Sequence, residues 1–280
     1  MENKQVKFHR NNSLNDLDGK QWIQLSKSFW FQKGLGSNHD ESEFEKLHPA
    51  PFSYQDIQKL ILMFTKEGMT VLDPFCGVAS TLKAAALCGR NAIGIEISTK
   101  WVRIGKQRLE KELPKQIRKM IELRIISGDC TARLSNFDKE SIDFIVTSPP
   151  YWGILNKVPD HKIINTRIKK GLATKYSTSK NDLGNIEKYS EFLNRIEKIS
   201  KRCYRVLKDK RYLAIIVGDF RNGDKYYTFH NDVQNIFEKN NFSLQGVIVL
   251  IQNNKKLYPY GYPYAFVPNI HHQYILIFKK

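Results

Sequence analysis

Between residues 69 and 150 of this 280-residue chain, short apolar runs rich in β-branched residues alternate with longer runs of helical period. "MTVLDPF" (69-75) reads as a strand, "STLKAAALCG" (80-89) as a helix closed by Gly89, and "NAIGIEI" (91-97) as a strand. "TKWVRIGKQRLEKEL" (99-113) is an amphipathic helix, and "ELRIISGDC" (122-130) and "SIDFIVTSPP" (141-150) are further strands. Strands separated by helices at this spacing pair in parallel, because each crossover returns the chain to the same end of the sheet. The chain is therefore expected to be α/β, with a seven-stranded, mostly parallel sheet covered by helices on both faces. The last two runs, "FSLQGVIVLIQ" (242-252) and "HQYILIFKK" (272-280), read as an antiparallel hairpin with a long loop.

The rest of the chain divides around this alternation into one expected domain, 1-280. Residues 1-45 are a polar extension whose Trp22, Trp30 and Phe31 would anchor it to a core, and 46-152 hold the principal alternation. Residues 153-185 lose periodicity and read as an insertion, and 186-280 supply the remaining helices and strands with an aromatic loop at 254-270. In "HPAPFSYQDIQKLILMF" (48-64), Ile57, Leu60, Ile61 and Phe64 recur at helical spacing, and two further helices are expected over 186-207 and 229-240.

Composition limits the function. No run approaches the roughly 18 apolar residues of a membrane span, and the polar N-terminus has no apolar stretch of a secretory leader, so a soluble cytoplasmic protein is expected. The four cysteines are scattered without metal or disulfide spacing, and the histidines form no HExxH pattern, so no metal is expected. The 45 Lys and Arg outnumber the 28 acids and leave a net charge of +17, which attracts polyanions, nucleic acid foremost. A composition merely rich in Lys, Asn and Ile is the bland alternative.

Chemistry is suggested at the ends of the strands. Asp73 ends the first strand of the series, followed by a turn containing Gly77 and a helix start. Glu96 ends the second strand, about 20 residues on, where an acid accepts hydrogen bonds from a ribose diol. Asp129 follows the third. Ligands of open parallel sheets bind outside these carboxyl ends, and a glycine there permits close approach to the backbone, so a nucleoside-containing cofactor fits. The fourth strand stops at "TSPPYW", where two prolines end strand pairing. The Ser148 hydroxyl and Pro149 carbonyl can both accept hydrogen bonds from an amino group, and Tyr151 or Trp152 offers a face for stacking a base.

"DPFCGVAST" (73-81) resembles the cofactor motif of the S-adenosylmethionine-dependent DNA amino-methyltransferases, and "TSPPYW" (147-152) resembles their catalytic motif. "HPAPFS" (48-53) resembles the element that closes over the methionine part of the cofactor, and "HHQYILIFKK" (271-280) the family's last strand. The resemblance implies a class I, Rossmann-like methyltransferase fold with S-adenosyl-L-methionine as cofactor. Its implied cofactor residues are His48, Pro49, Ala50, Phe52, Asp73, Pro74, Phe75, Gly77, Ser80, Thr81, Glu96, Ile97, Asp129, Cys130 and Ser148. The implied catalytic residues are Ser148, Pro149, Pro150 and Tyr151.

Methyl transfer to an exocyclic amine of double-stranded DNA requires the base to be flipped out. Serine at position 148 points, by family pattern, to N(4) of cytosine, and aspartate or asparagine there to N(6) of adenine. An RNA methyltransferase and a catalytically silent DNA-binding relative are the alternatives. A monomer or homodimer acting beside a cognate restriction endonuclease encoded nearby, or as an orphan enzyme, is implied. For contact with nucleic acid the sequence offers Trp152, then Lys157, Arg167, Lys169, Lys170 and Lys175 in the basic insertion. Tyr260 and Tyr262 of "YPYGYPYAF" (258-266) are further candidates, although that loop reads first as a rigid aromatic loop packed on the sheet. One departure is Ala79, where many members of the family have glycine, and its methyl group would crowd the cofactor or the turn.

Overall fold

The computed structural model describes residues 9-32, 42-48, 53-152, 177, 179, 181-253 and 255-280. Its strands are β1 (Phe29–Phe31), β2 (Thr70–Asp73), β3 (Asn91–Glu96), β4 (Leu123–Ser127), β5 (Ile142–Thr147), β6 (Leu207–Val217), β7 (Phe220–Asn222), β8 (Lys225–Tyr227), β9 (Ser243–Ile251) and β10 (His272–Lys279). β7 and β8 form a separate small hairpin, and the other eight make one sheet in the order β1-β9-β10-β6-β5-β2-β3-β4. All neighbours in that sheet are parallel except at β10, which runs antiparallel to both β9 and β6.

The seven expected strands are present with the expected antiparallel pair. An eighth comes from the N-terminal extension: three residues of β1 pair with Val249–Ile251 of β9. So short a strand carries too little alternation to be read from sequence. The extension is held at its other end by Asn15, which donates to the Met63 carbonyl at 2.7 Å, and by Asp16, which pairs with Arg90 at 2.8 Å. Trp30 is buried as expected, whereas the Phe31 side chain is 54% exposed and meets Phe29 edge-on at 5.9 Å.

β5 is buried at all six positions, as the middle strand of a doubly covered sheet must be. From Phe144 onward successive residues face opposite layers, and a shift in register between Ile142 and Phe144 sets Ile142 on the same side as Ile145. Phe144 and Val146 join a core with α3 (Tyr54–Phe64) and α4 (Ser80–Leu87). Ile142 and Ile145 join a core with α8 (Tyr189–Val206) and α9 (Phe229–Lys239). Phe192, Ile196, Ile199, Cys203 and Val206 fall three or four apart along α8 and are buried there, the stripe that makes it a covering helix. Among the described residues the short α-helices are α1 (Gly19–Leu25), α2 (Ser42–Leu47), α6 (Lys115–Met120) and α7 (Cys130–Leu134). α5 (Thr99–Glu112) flanks β3 and β4.

Because β2 to β6 are parallel, their carboxyl ends open on one edge of the sheet. The start of antiparallel β10 reaches that same edge.

Candidate active site

A cavity of about 330 Å³ opens at this edge. Its walls include His48, Pro74, Phe75, Gly77, Ser80, Glu96, Ile97, Asp129 and Cys130 from the expected cofactor set. Ser148, Pro149, Pro150 and Tyr151 line it as well, so the two motifs, about 70 residues apart in sequence, share one space.

At the β3–β4 end, Glu96 accepts the Gly77 N–H at 3.0 Å and the Ser98 N–H at 2.8 Å. Its two oxygens have four lone-pair sites, so two remain for hydroxyl donors of a ligand. Burial pushes its carboxyl up to about 7 against the pull of these two bonds. Gly77 has φ +50, and a side chain there would stand 3.1 Å from His48 Nε2, so glycine serves both the turn and the close approach. His48 lies edge-on to Trp101 with ring centroids 4.9 Å apart. Arg108 of α5, fully buried, donates to Ser80 Oγ at 2.9 Å and the Val78 carbonyl at 3.3 Å, and its Nε pairs with Glu112 at 2.9 Å. A single guanidinium thereby fixes the turn that would cradle a ligand.

Asp129 caps α7 through the Ala132 N–H at 3.1 Å and pairs with Arg195 of α8 at 2.9 Å. Its carboxylate is thus shared between a helix cap and an ion pair at the cavity wall. The Cys130 thiol is buried, which holds it protonated and unreactive.

Two expected cofactor residues are placed differently. Asp73 is fully buried and does not reach the cavity: its carboxylate accepts from Thr147 Oγ1 at 2.6 Å, the Phe75 N–H at 3.0 Å and Thr81 Oγ1. Thr81, also fully buried, is spent on that bond. The pair ties β2 to β5 and to the first turn of α4, so both act as braces behind the site. Burial raises the Asp73 carboxyl to about 6, opposed by the three donors. The Ala79 methyl does not enter the cavity either. Ala79 has φ 65 and is fully buried, and a Cβ built on Gly105 of α5 would lie 3.3 Å from its Cβ. The absence of a side chain at Gly105 is what accommodates the methyl.

At the β5 end, Ser148 Oγ donates to the Ile216 carbonyl at 2.9 Å. Its single proton is thereby committed, which leaves the oxygen as an acceptor. The Tyr151 hydroxyl accepts from Gln273 Nε2 at 2.6 Å and is pushed up to about 12 by burial, against the pull of that bond. The Tyr151 ring meets Phe229 edge-on at 6.1 Å. Behind Gln273 stands a chain of amides: Gln252 Nε2 donates to Gln273 Oε1 at 3.2 Å and to Gln32 Oε1 at 2.9 Å. Reversing the Gln252 amide alone would set three oxygens against one another, so the three amides are oriented as a set.

Trp152, expected to offer a stacking face, is instead only 9% exposed. It packs among Tyr189, Phe220 and Tyr227 with centroids 5.0 to 6.1 Å away, and its Nε1 donates to the Glu187 carbonyl at 3.2 Å. The prolines turn Tyr151 toward the cavity and the next residue toward the core beneath α8. Tyr260 and Tyr262 lie on the surface, 46% and 81% exposed. Pro49, Ala50, Phe52, Lys157, Arg167, Lys169, Lys170 and Lys175 lie outside the described residues.

Gln32, Gln252, Gln273 and Arg195 went unread in the sequence because a lone glutamine or arginine carries no motif. They converge only through the pairing of β1, β9 and β10 and the packing of α8. Among the described residues no cluster of three or more His, Cys, Asp or Glu could hold a metal ion, and no helix is long and apolar enough to cross a membrane.

Comparison with known proteins agrees with this geometry. The orphan methyltransferase M.BamHII of Bacillus amyloliquefaciens is 32% identical over 113 residues, 39% of each chain. The type II methyltransferase M.BglI of Bacillus subtilis is 34% identical over 97 residues, 34% of this chain and 26% of its own. The matches thus span well under half the length of either relative. Among solved structures, TrmN from Thermus thermophilus superposes with a TM-score of 0.51 at 13% identity, over 86% of this chain and 53% of its own, a likeness of fold. The family model described as DNA methylase matches residues 2-107 and 142-280, and with both motifs lining one cavity, the chain belongs to that DNA methylase family.

Proposed function

We propose that the protein methylates the exocyclic N(4) amino group of cytosine in double-stranded DNA, with S-adenosylmethionine as methyl donor. It would act as the modification half of a restriction system or as an orphan enzyme. The observation that carries this reading is the Ser148 hydroxyl, whose proton is held by the Ile216 carbonyl at 2.9 Å while the residue lines the cavity beside Pro149 and Tyr151. An amine about to be methylated must shed proton density, and an oxygen that can only accept serves that need.

The donor set suits the cofactor. Glu96 keeps acceptor sites for a ribose diol, Gly77 leaves room beside His48, and Ile97 with Phe75 gives the wall apolar surface. Bound there, S-adenosylmethionine supplies an electrophilic methyl group. Ser148 Oγ and the Pro149 carbonyl accept the amino hydrogens and aim the nitrogen lone pair. Tyr151, held at its hydroxyl by Gln273, keeps its ring fixed as the platform for the base. Alignment of this kind is the main contribution a protein makes to a displacement that needs no covalent intermediate.

The test is a nucleoside analysis. DNA from cells expressing the protein is expected to contain N(4)-methylcytosine that is absent from cells lacking it. N(6)-methyladenine without N(4)-methylcytosine overturns the choice of base, and neither product overturns the DNA reading.

A further inference from the structure

The segment joining β9 to β10 begins and ends at the cavity, since Gln252 and Gln273 both line it. Between them the chain carries Leu257, Tyr262, Tyr264 and Phe266 with 75%, 81%, 94% and 87% of their surface exposed. Apolar groups gathered in water on one loop mark an interaction surface. At the base of this loop the Asn269 side chain brackets the Tyr258 backbone with bonds of 3.0 and 2.8 Å, and the Tyr258 and Tyr260 rings lie 5.5 Å apart.

The outer part is braced by its own backbone. The Tyr264 and Ala265 N–H groups both donate to the Gly261 carbonyl at 2.7 Å. Gly261 itself has φ +73, and a side chain there would stand 2.3 Å from the Ala265 carbonyl oxygen, so the turn requires glycine. A backbone held in place before binding loses little freedom on association.

Charge selects the partner. The chain carries a net charge of +17, and Lys255 and Lys256 stand at the foot of the loop, an arrangement suited to a polyanion with flat apolar faces. We infer that this loop is a DNA wedge: Tyr264 and Phe266 enter the base stack beside the target and occupy the space vacated by the flipped base. A ring is about as thick as one base step, roughly 3.4 Å, so it replaces the missing stacking partner. The inference rests on the proposed function in taking DNA as the partner and an extruded base as the source of the gap.

The test needs neither the recognition sequence nor turnover. Two duplexes of the same sequence, one intact and one with a single abasic site, are titrated against the full chain and against a Tyr264→Ala/Phe266→Ala variant. The wild type is expected to bind the abasic duplex about tenfold more tightly, because the gap is already open, and the variant to bind both within about twofold. Both side chains are exposed, so the melting temperature and calorimetric S-adenosylmethionine binding should be unchanged in the variant. Equal affinity of the wild type for the two duplexes, or an undiminished preference in the variant, overturns the wedge. So does sedimentation in which the wild type dimerises and the variant does not, which would give the rings to a second copy of the chain. If genomic DNA carries no methylated base yet the gap preference holds, the proposed reaction fails and the wedge stands.

Discussion

Replacing Gln273 by Leu probes the link between the far side of the sheet and the catalytic motif. Leucine preserves most of the bulk of the side chain and deletes the amide. Two hydrogen bonds go with it, the 2.6 Å bond to the Tyr151 hydroxyl and the 3.2 Å bond from Gln252. At about 1 kcal/mol each, their loss amounts to about 2 kcal/mol. If Gln273 serves to hold Tyr151 and, through it, Ser148, that loss falls on the reacting geometry and slows turnover by about 30-fold. The assay is transfer of labelled methyl groups into DNA from cells lacking the protein, with calorimetric S-adenosylmethionine binding and thermal melting run in parallel. Turnover should fall while cofactor affinity stays within about twofold, because no bond at the Glu96 end is touched. Turnover within twofold of wild type for the Leu variant, or an equal loss in cofactor affinity, would refute the reasoning.

Ser148→Ala should abolish methyl transfer while sparing cofactor binding, and retained turnover would remove the serine from the reaction. Gly105→Ala would drive a methyl group to 3.3 Å from Ala79 Cβ and 3.2 Å from Ile125 Cδ1. A loss of about 1–3 kcal/mol is expected by chemical denaturation, partly relieved in the Gly105→Ala/Ala79→Gly double variant, with no relief counting against the packing account. Glu96 should give cofactor affinity a pH dependence: its carboxyl sits near 7, so binding should tighten as pH rises through that value and the anion forms. Folding runs the other way, since a carboxyl raised in the native state costs stability as pH rises from the unfolded value of about 4.5 toward 7. Glu96→Gln should flatten the binding profile and remove the part of the stability loss between about 6 and 7, while Asp73, raised to about 6, keeps the part below it. Trp152→Ala should cost about 3–5 kcal/mol of stability, as for a buried aromatic, whereas a stacking platform on the surface would cost little.

The alternation of strand and helix, the acids at successive strand ends and the proline pair were legible because each is local. β-branched runs, helical spacing and imino acids act within a few residues, so their order alone fixes a parallel sheet with a ligand edge. Asp73 shows the limit. Its place at a strand end could be read, but whether its carboxylate faced a ligand or the core depended on Thr147, 74 residues away, arriving on the neighbouring strand. Trp152 was misassigned for a like reason: adjacent aromatics look equivalent in a sequence, while the chain's turn sends Tyr151 to the cavity and Trp152 among Tyr189, Phe220 and Tyr227.

By itself, the sequence determined that this chain would build an α/β sheet with a cofactor edge and a Ser-Pro-Pro-Tyr strand end on it. Only the tertiary structure decided which acids reach the cavity, how Gly105 makes room for Ala79, and that three scattered glutamines form a chain ending at Tyr151. The physical reason is range. Propensity and periodicity are properties of neighbouring residues, whereas burial and hydrogen bonding between side chains far apart in the chain follow from strand order and helix packing.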